Sequence, residues 1–261
     1  MHRLYIFTGK GGVGKTTISL AFTRYLKNQG RDAVYCPFDQ DFNPLSESES
    51  INILELDKKA SMEKYISAKL SSNIIASWIM KSGFFNSMMD MLPSLTYLIL
   101  LGDLLDRLDK DPELILVLDF PSTGHAMTLF ESLTNFKDIF GIGMIVEDIK
   151  RMHKIMISEN FLKPFIISLP TSMAFHEAME LELYLKGTSF KNCDLIMNDS
   201  FTRMPHLDKN LFPAFLKNRI SGEEDILKQY NRRFKTIFHH VDEVEESVVI
   251  DQLTPFMGGL L

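Results

Sequence analysis

Cysteine is scarce in this sequence of 261 residues, which contains only Cys36 and Cys193. Two cysteines so far apart form neither the disulfide framework of a small secreted domain nor the paired ligand sets of a zinc ribbon. We therefore expect two buried thiols and no structural zinc. Low cysteine usage fits a reducing compartment, so the predicted location is the cytoplasm, either free or at the membrane surface through a partner.

Long apolar runs are also missing. No segment approaches the roughly 20 consecutive apolar residues that a membrane-spanning helix requires. The first residues enter the apolar segment 4–7 directly, without the charged leader and apolar stretch of a secretion signal. We therefore expect a protein that is neither secreted nor membrane-spanning.

An excess of positive charge is absent as well. The chain has 28 Lys and Arg residues against 34 Asp and Glu residues, which gives a formal net charge of −6. A nucleic-acid surface relies on clustered positive charge to neutralise phosphates. No nucleic-acid partner is therefore expected.

The overall composition favours one globular domain. Hydrophobic residues make up 45% of the chain and charged residues 24%, which is enough apolar material for a sizeable core. We see neither an internal repeat nor a linker. The prediction is a single domain over 1–261, in which a helical region at about 51–110 is a candidate partner- or client-facing subdomain.

Short apolar runs alternate with helical periodicity along the chain, which is typical of a parallel sheet covered by helices. The predicted strands span 4–8, 32–35, 114–119, 164–168, 195–198 and 236–240. The predicted helices span 15–28, 95–108, 127–135, 147–158, 172–186 and 226–233. We therefore predict an α/β fold with a mostly parallel sheet and helices on both of its faces.

A glycine-rich loop joins the first predicted strand to the first predicted helix and fits the phosphate-binding pattern G-x-x-x-x-G-K-[ST]. Its glycines allow backbone N–H groups to converge on an anion at a helix N-terminus. Lys15 is placed to reach the β- and γ-phosphates of a nucleotide, and the Thr16 hydroxyl to bind Mg²⁺. The predicted nucleotide-binding residues of this loop are Gly9, Lys10, Gly11, Gly12, Val13, Gly14, Lys15, Thr16 and Thr17.

Two aspartates follow predicted strands, at the edge where parallel sheets collect their ligands. Asp39 is placed to hold or activate an attacking water, or to contact Mg²⁺ through water. Asp119 ends an apolar strand in the Walker-B arrangement and is placed to bind Mg²⁺ directly or through water. Such aspartates also form turns, but their combination with the glycine-rich loop favours the nucleotide role. A phosphotransferase that acts on a small acceptor shares the loop motif.

Two segments resemble one family of P-loop ATPases. Residues 10–17 resemble the deviant Walker A motif of the family that contains MinD, ParA, the nitrogenase iron protein, and the arsenite-pump (ArsA-type) and tail-anchored-protein-targeting ATPases. Residues 119–125 resemble the D-T-A-P-T-G-H switch II motif of the arsenite-pump and targeting branch, which argues against a phosphotransferase. The switch II residues that this resemblance implies are Asp119, Pro121, Thr123, Gly124 and His125.

The resemblance implies an ATPase that uses ATP and Mg²⁺, works as a dimer and hydrolyses ATP slowly until a partner stimulates it. Lys10 resembles the signature lysine that crosses the dimer interface to the opposite phosphates, and Asp39 resembles the residue that orients the water. Asn198 matches the asparagine that reads the adenine edge. The implied catalytic residues are Lys10, Lys15 and Asp39. The implied magnesium ligands, with the aspartates acting through water, are Thr16, Asp39 and Asp119.

Three departures from the family pattern narrow this expectation. The neighbours of Asp39 differ from the S-T-D-P-A-H switch I motif, which implies slow or differently gated hydrolysis. A C-x-x-C motif is missing, which argues against a zinc-bridged dimer and thiol-based metalloid sensing. The region 147–163 is predicted to hold one short helix, which is too little for a complete client groove.

The resemblance leaves the partner open. The predicted partner in the dimer is a second copy or a paralogous ATPase, and the output partner is a membrane protein or a hydrophobic client. A targeting factor for hydrophobic helices and a MinD- or ParA-like positioning ATPase are the alternatives. A methionine-rich cluster fits core packing better than a client surface. Its residues are Trp78, Met80, Phe84, Phe85, Met88, Met89 and Met91.

Overall fold

A seven-stranded parallel sheet forms the centre of the molecule. The computed structural model describes residues 1–38, 51–70, 80–83, 87, 93–140, 144–204, 212–243 and 245–261. The strand order within this part is β3-β2-β4-β1-β5-β6-β7, and every neighbouring pair is parallel. The strands are β1 Leu4–Gly9, β2 Ala33–Pro37, β3 Asn52–Ile53, β4 Ile115–Asp119, β5 Leu162–Ser168, β6 Asp194–Ser200 and β7 Phe234–His239.

Helices alternate with these strands along the chain. The α-helices of the described part are α1 Lys15–Asn28, α2 Lys58–Leu70, α3 Pro93–Lys110, α4 Thr123–Phe140, α5 Met144–Met156, α6 Ser172–Lys186, α7 Ala214–Tyr230 and α8 Glu246–Leu253. Two 3-10 segments occupy Asn231–Arg233 and Thr254–Leu260.

Successive side chains of the strands point to opposite faces of the sheet and pack into two separate hydrophobic cores. On β1, Leu4 and Ile6 join a core that includes buried residues of α2 to α6. Tyr5 and Phe7 point to the other face, where α1, α8 and the C-terminal 3-10 segment pack. This two-residue period is the geometry of a strand buried on both faces, and it explains why β1 and β4 are almost continuously apolar. The predicted α/β fold with helices on both faces is therefore confirmed.

Local patterns located most elements, and α1 and α6 have the bounds predicted for them. The structure adds β3, which has two residues and is too short to show an alternating pattern. It also adds α2, α8 and the C-terminal 3-10 segment, and α4 begins at Thr123 rather than at residue 127. The helix predicted at 226–233 is part of α7, Ala214–Tyr230, which is followed by the 3-10 segment Asn231–Arg233. The first part of α7 was not predicted because it buries only Ile220 and Glu223 and lacks apolar periodicity.

The register of the sheet places the predicted functional segments side by side. Phe7 of β1 and Pro37 of β2 both pair with Asp119 of β4. The ends of β1, β2 and β4, which the glycine-rich loop, the predicted switch I and the predicted switch II follow in sequence, therefore lie at one edge of the sheet. This edge holds the carboxyl ends of the strands, where open α/β sheets bind their ligands.

Two regions bear on partner binding: the region 147–163, which the structure describes completely, and the methionine-rich cluster, which it describes only in part. The stretch before β5 contains the single short helix α5, as expected for region 147–163. In the methionine-rich cluster, Met80 is partly buried against the core. The other members, Trp78, Phe84, Phe85, Met88, Met89 and Met91, lie outside the described residues. Among the described helices, none combines the length and the apolar character needed to cross a bilayer.

Candidate nucleotide-binding site

The glycine-rich loop is held tightly between β1 and α1. A Cβ atom on Gly9 would lie 2.2 Å from the Ile167 carbonyl oxygen, so only glycine permits this approach to β5. Gly14 caps α1 with φ of 87°, a left-handed conformation that glycine adopts without strain. A Cβ on Gly14 would also lie 2.4 Å from Nδ2 of Asn198. The loop therefore requires glycine at both ends for its close packing.

The first turn of α1 is arranged to receive an anion. The N-cap residue is Gly14, which has no side chain that could accept a hydrogen bond from the helix N–H groups, and the first turn contains no acidic residue. The N–H groups at a helix start carry partial positive charge and have no partner within the helix. Together with the preceding glycine-rich loop, they form the cradle that binds phosphate in other P-loop proteins.

Lys15 supplies the positive charge inside this cradle. Its side chain is largely buried, with 9% exposure, and Nζ donates a 3.1 Å hydrogen bond to the Lys10 carbonyl oxygen. Burial lowers the pKa of Lys15, and the nearby Asp119 carboxylate opposes that effect. The ammonium group is therefore kept within the loop, where it faces the predicted phosphate position.

Asp119 is fully buried at the end of β4 and binds the start of α1. The Thr16 hydroxyl donates to Oδ2 of Asp119 at 2.5 Å, and the Tyr35 hydroxyl donates to the same oxygen at 3.0 Å. Burial raises the pKa of Asp119, while the bonds from Thr16 and Tyr35 and the charge of Lys15 act in the opposite direction. The structure thus brings together the predicted Walker-B aspartate and the predicted magnesium-binding threonine.

The donor set at Asp119 fits a hydrated magnesium ion. Oδ1 of Asp119 is buried and has no hydrogen-bond partner among the described residues. A buried carboxylate oxygen without a donor is costly, and a metal-bound water would satisfy it. Mg²⁺ prefers oxygen ligands and retains several waters, which matches one hydroxyl and one carboxylate. Asp39, the third predicted ligand, lies outside the described residues.

Tyr35 is a site residue for which the sequence gives only a weak signal. It lies on β2, is completely buried, and its pKa is raised by burial and by the Asp119 carboxylate. The neutral phenol therefore serves as a hydrogen-bond donor to the carboxylate. A tyrosine in an apolar strand is ordinary in sequence terms, and only the pairing of β2 with β4 brings its hydroxyl to Asp119.

Lys10 extends from the loop in a different direction from Lys15. Its ammonium group forms an ion pair with Glu177 on α6, and the two side chains are 32% and 34% exposed. Glu177 is another site residue that sequence reasoning missed, because it lies far along the chain. The signal available for it was the helix predicted at 172–186, which follows Leu169-Pro170-Thr171. Lys10 is therefore accessible at the surface while Lys15 is enclosed.

Asn198 lies near the end of β6 and contacts the glycine-rich loop itself. Its Nδ2 atom donates a 2.9 Å hydrogen bond to the Val13 carbonyl oxygen. This bond uses the amide donor, and the amide also carries an acceptor oxygen. Asn198 therefore braces the loop from β6, and its predicted contact with adenine stays a prediction.

The predicted switch II segment passes from β4 into α4. Thr8 donates a 3.0 Å hydrogen bond to the Pro121 carbonyl oxygen, which ties the segment to β1. Thr123 starts α4, and its hydroxyl is buried with no partner in the part of the chain that the structure covers. His125 is exposed, and its Nδ1 forms a 2.7 Å hydrogen bond with the Tyr97 hydroxyl. The predicted switch II segment thus contacts both the central sheet and α3.

The site extends to α8, which the sequence reasoning did not include. The Thr17 hydroxyl lies 3.4 Å from Oε1 of Glu246, the first residue of α8. A carboxylate here adds negative charge beside the loop, and it contributes to the raised pKa of Asp119. The signal was weak because α8 has only eight residues.

The parallel sheet, the glycine-rich loop and the Thr16–Asp119 pair define a P-loop NTPase with a second lysine in its loop. Residues 2–156 match the anion-transporting ATPase family, and the chain belongs to this family. A protein of Aquifex aeolicus (strain VF5) with the name "Putative arsenical pump-driving ATPase 2" is 24% identical over 278 aligned positions, which cover 90% of each protein. Family membership supports ATP binding and ATP hydrolysis as the activity of this chain.

Proposed function

We propose that this protein is an ATP-dependent dimeric switch, in which ATP binding brings two subunits together and hydrolysis separates them. The observation that supports it is the different placement of the two loop lysines. Lys15 is enclosed and serves its own phosphate cradle, whereas Lys10 is one-third exposed and bound to Glu177. A loop cation that is accessible from outside is suited to reach the nucleotide of a second subunit.

Within one subunit, the described residues divide the work of nucleotide binding. The N–H groups of the loop and of the first turn of α1 bind the phosphates, and Lys15 neutralises charge on the β- and γ-phosphates. Thr16 and Asp119 would hold Mg²⁺, which withdraws charge from the phosphate oxygens. Phosphoryl transfer depends on such positioning and charge stabilisation more than on covalent chemistry.

Hydrolysis itself needs two further contributions in this proposal. Asp39 orients the attacking water in line with the γ-phosphate. Lys10 leaves Glu177 and adds positive charge to the opposite subunit's γ-phosphate, where negative charge spreads in the transition state. Each active site is then complete only in the dimer, so turnover is slow at low protein concentration. Switch II reports the nucleotide state to the rest of the subunit.

The mass of the protein in solution tests this proposal. Without nucleotide we expect the mass of the 30.0 kDa chain, and with Mg²⁺ and a non-hydrolysable ATP analogue we expect twice that mass. Size-exclusion chromatography with light scattering measures both. A monomer mass at saturating analogue, combined with full ATP hydrolysis by that monomer, would contradict the dimeric switch in either form. A monomer mass without hydrolysis would rule out the homodimer and leave a dimer with a paralogous ATPase.

The nature of the output partner is a separate proposal. The name of the Aquifex aeolicus relative refers to an arsenical pump. Here Cys36 and Cys193 are both buried, and burial raises the pKa of Cys193 to about 11 and that of Cys36 still further. The thiolate is the form that binds soft metals, and it is suppressed at both positions. We propose that the output partner is a membrane protein or a hydrophobic client, and that it is recognised through protein contacts and not through a thiol-bound metalloid.

Arsenite is therefore expected to leave ATP hydrolysis unchanged. Phosphate release at saturating ATP would be measured with and without arsenite or antimonite, using dithiothreitol-free buffer so that the metalloid stays available. Thermal melting under the same conditions checks that the metalloid does not unfold the protein. Stimulation by either metalloid in the isolated protein would show that a metalloid site exists and that our proposal on the partner is wrong.

Replacement of Asn198 separates its two suggested roles. Loss of the bond to Val13 in Asn198→Ala is expected to weaken ATP binding by about 1 kcal/mol, or roughly fivefold. If the amide oxygen also accepts a hydrogen bond from the adenine amino group, the preference for ATP over GTP will narrow in the variant. Calorimetric titration with both nucleotides measures this. An unchanged preference with weaker binding of both nucleotides would contradict adenine reading and leave only the brace.

A further inference from the structure

Tyr97 connects switch II with α3. Its ring is almost completely buried, with 6% exposure, while its hydroxyl forms the 2.7 Å hydrogen bond with Nδ1 of His125. The two rings meet edge to face, with centroids 5.7 Å apart. His125 lies on the first turn of α4 and is exposed to solvent. A buried side chain of α3 therefore holds a solvent-accessible side chain of the switch.

The same ring also contacts the residues that follow β2 and β4. The centroid of Tyr97 lies 5.9 Å from that of Phe38 and 6.3 Å from that of Phe120, and these two rings are 4.6 Å apart. Both phenylalanines are fully buried. Phe38 directly precedes Asp39 in the predicted switch I, and Phe120 directly follows Asp119. Tyr97 thus packs against the starts of both switch segments.

The backbone of these two phenylalanines is tied to the strands of the site. The Phe38 N–H donates a 3.1 Å hydrogen bond to the Asp119 carbonyl oxygen, and the Phe120 N–H donates a 2.9 Å bond to the Phe7 carbonyl oxygen. A displacement of the strand end at Asp119 is therefore transferred to both rings. Since packed interiors deform little and change between discrete arrangements, Tyr97 must respond to that displacement.

The far side of α3 is docked closely against α2. A Cβ atom on Gly102 would lie 2.4 Å from the ring of Tyr65, so the two helices touch at a bare backbone. Lys64 of α2 forms a 3.1 Å ion pair with Asp103, which is buried and also pairs with Arg107. Close contact and a buried charge leave little freedom for the helices to slide, so α2 and α3 move together.

We propose that Tyr97 is the positioning residue through which the α2–α3 pair registers the nucleotide state of both switches. The proposal rests on the proposed function, because it assumes that ATP rearranges the segments after β2 and β4. The hydroxyl bond to His125 couples α3 to switch II, and the ring couples it to Phe38 and Phe120. The α2–α3 pair, within the helical region at about 51–110, is then the surface that presents the nucleotide state to a partner.

Hydrogen–deuterium exchange of the full chain tests this proposal. Exchange is measured with and without Mg²⁺ and a non-hydrolysable ATP analogue, in wild type and in Tyr97→Phe. In wild type we expect nucleotide-dependent changes in α1, α2 and α3. In Tyr97→Phe the changes in α2 and α3 are reduced, because the hydroxyl bond to His125 is lost while the ring contacts with Phe38 and Phe120 remain, and the protection of the loop and α1 is retained. Tyr184→Phe, which removes a hydroxyl on α6, is the matched control and behaves as wild type.

A second variant removes the same hydrogen bond without altering the core. His125 is exposed, so His125→Ala tests the contact even if Tyr97→Phe were unstable. The double variant is expected to lose no more of the α2 and α3 response than either single variant, since the two residues act through one bond. Additive losses would show that they act independently.

The outcomes separate the two proposals. An absence of protection in the loop and α1 of wild type would contradict ATP binding and hence the proposed function. Protection of the loop together with an equal α2 and α3 response in wild type, Tyr97→Phe and His125→Ala would overturn the role of Tyr97 alone. A merely structural role for the hydroxyl would lower stability in all nucleotide states and leave the nucleotide-dependent difference intact.

Discussion

Lys10→Ala is expected to lower ATP hydrolysis by about 10³-fold while ATP binding changes little. A cation supplied to the γ-phosphate by a second subunit acts as arginine fingers do, and such groups contribute about 10³- to 10⁵-fold to turnover. Lys10 contributes little to binding within its own subunit, because its ammonium group is paired with Glu177 on α6. Phosphate release at saturating ATP and calorimetric titration of ATP measure the two effects separately.

Glu177→Gln is the comparison that identifies the cause. This variant frees the Lys10 ammonium group, so we expect the ATP-dependent dimer to form at a lower protein concentration than in wild type. Both side chains are about one-third exposed, so the ion pair is screened by salt and the gain is expected to be modest. If Lys10→Ala retained wild-type turnover, or lost ATP binding in parallel with turnover, the proposed role in a second subunit would be wrong.

Lys15→Ala is expected to weaken ATP binding by roughly 100-fold and to abolish measurable turnover. A hydrogen bond between charged groups contributes about 3 kcal/mol, and here it forms in an enclosed loop where Lys15 as a residue is 9% exposed. The contrast with Lys10→Ala is informative because the two lysines belong to one loop. Lys10→Ala is expected to lose turnover with little change in ATP binding, whereas Lys15→Ala is expected to lose both. Calorimetric titration of ATP measures the binding loss.

A matched lysine variant controls for the loss of one positive charge. Lys150 is exposed and pairs only with Glu147 in the described structure, so Lys150→Ala should bind and hydrolyse ATP as wild type does. Lys15→Ala is expected to remain folded, since Nζ donates its hydrogen bond to the Lys10 carbonyl oxygen within the loop, and the removal of this bond affects the loop rather than the core. Tight ATP binding by folded Lys15→Ala would show that the loop does not bind phosphate as proposed.

Local sequence signals were sufficient for the regular part of this fold. The helix that follows the glycine-rich loop and α6 have their predicted bounds because apolar periodicity, a strand before each and a clear end coincide. The strands predicted at 4–8, 114–119 and 164–168 are confirmed because residues buried on both faces form nearly continuous apolar runs. Elements with few buried side chains, such as the first part of α7, gave no comparable signal.

The candidate site shows the same difference between residues with a local sequence signal and residues without one. The phosphate loop and the Thr16–Asp119 pair were predictable, since a phosphate cradle needs glycines, a lysine and a hydroxyl at fixed spacing and since the Walker-B aspartate ends an apolar strand. Residues whose roles depend on distant parts of the chain were not predictable. Tyr35, Tyr97 and Glu177 each have unremarkable sequence contexts, and each acquires a role through one contact with a site residue.

The sequence alone was enough to assign this chain to an α/β fold and to the anion-transporting ATPase family, and it predicted Lys10, Lys15, Thr16 and Asp119 as the core of a nucleotide site. The tertiary structure alone decided which groups surround that core. The order of strands brings Tyr35 to Asp119, Glu177 to Lys10 and Tyr97 to His125. Residues that act together within one loop can be recognised from their spacing in the sequence. Residues that meet from distant strands and helices can be recognised only when the order of the strands and the packing of the helices are known.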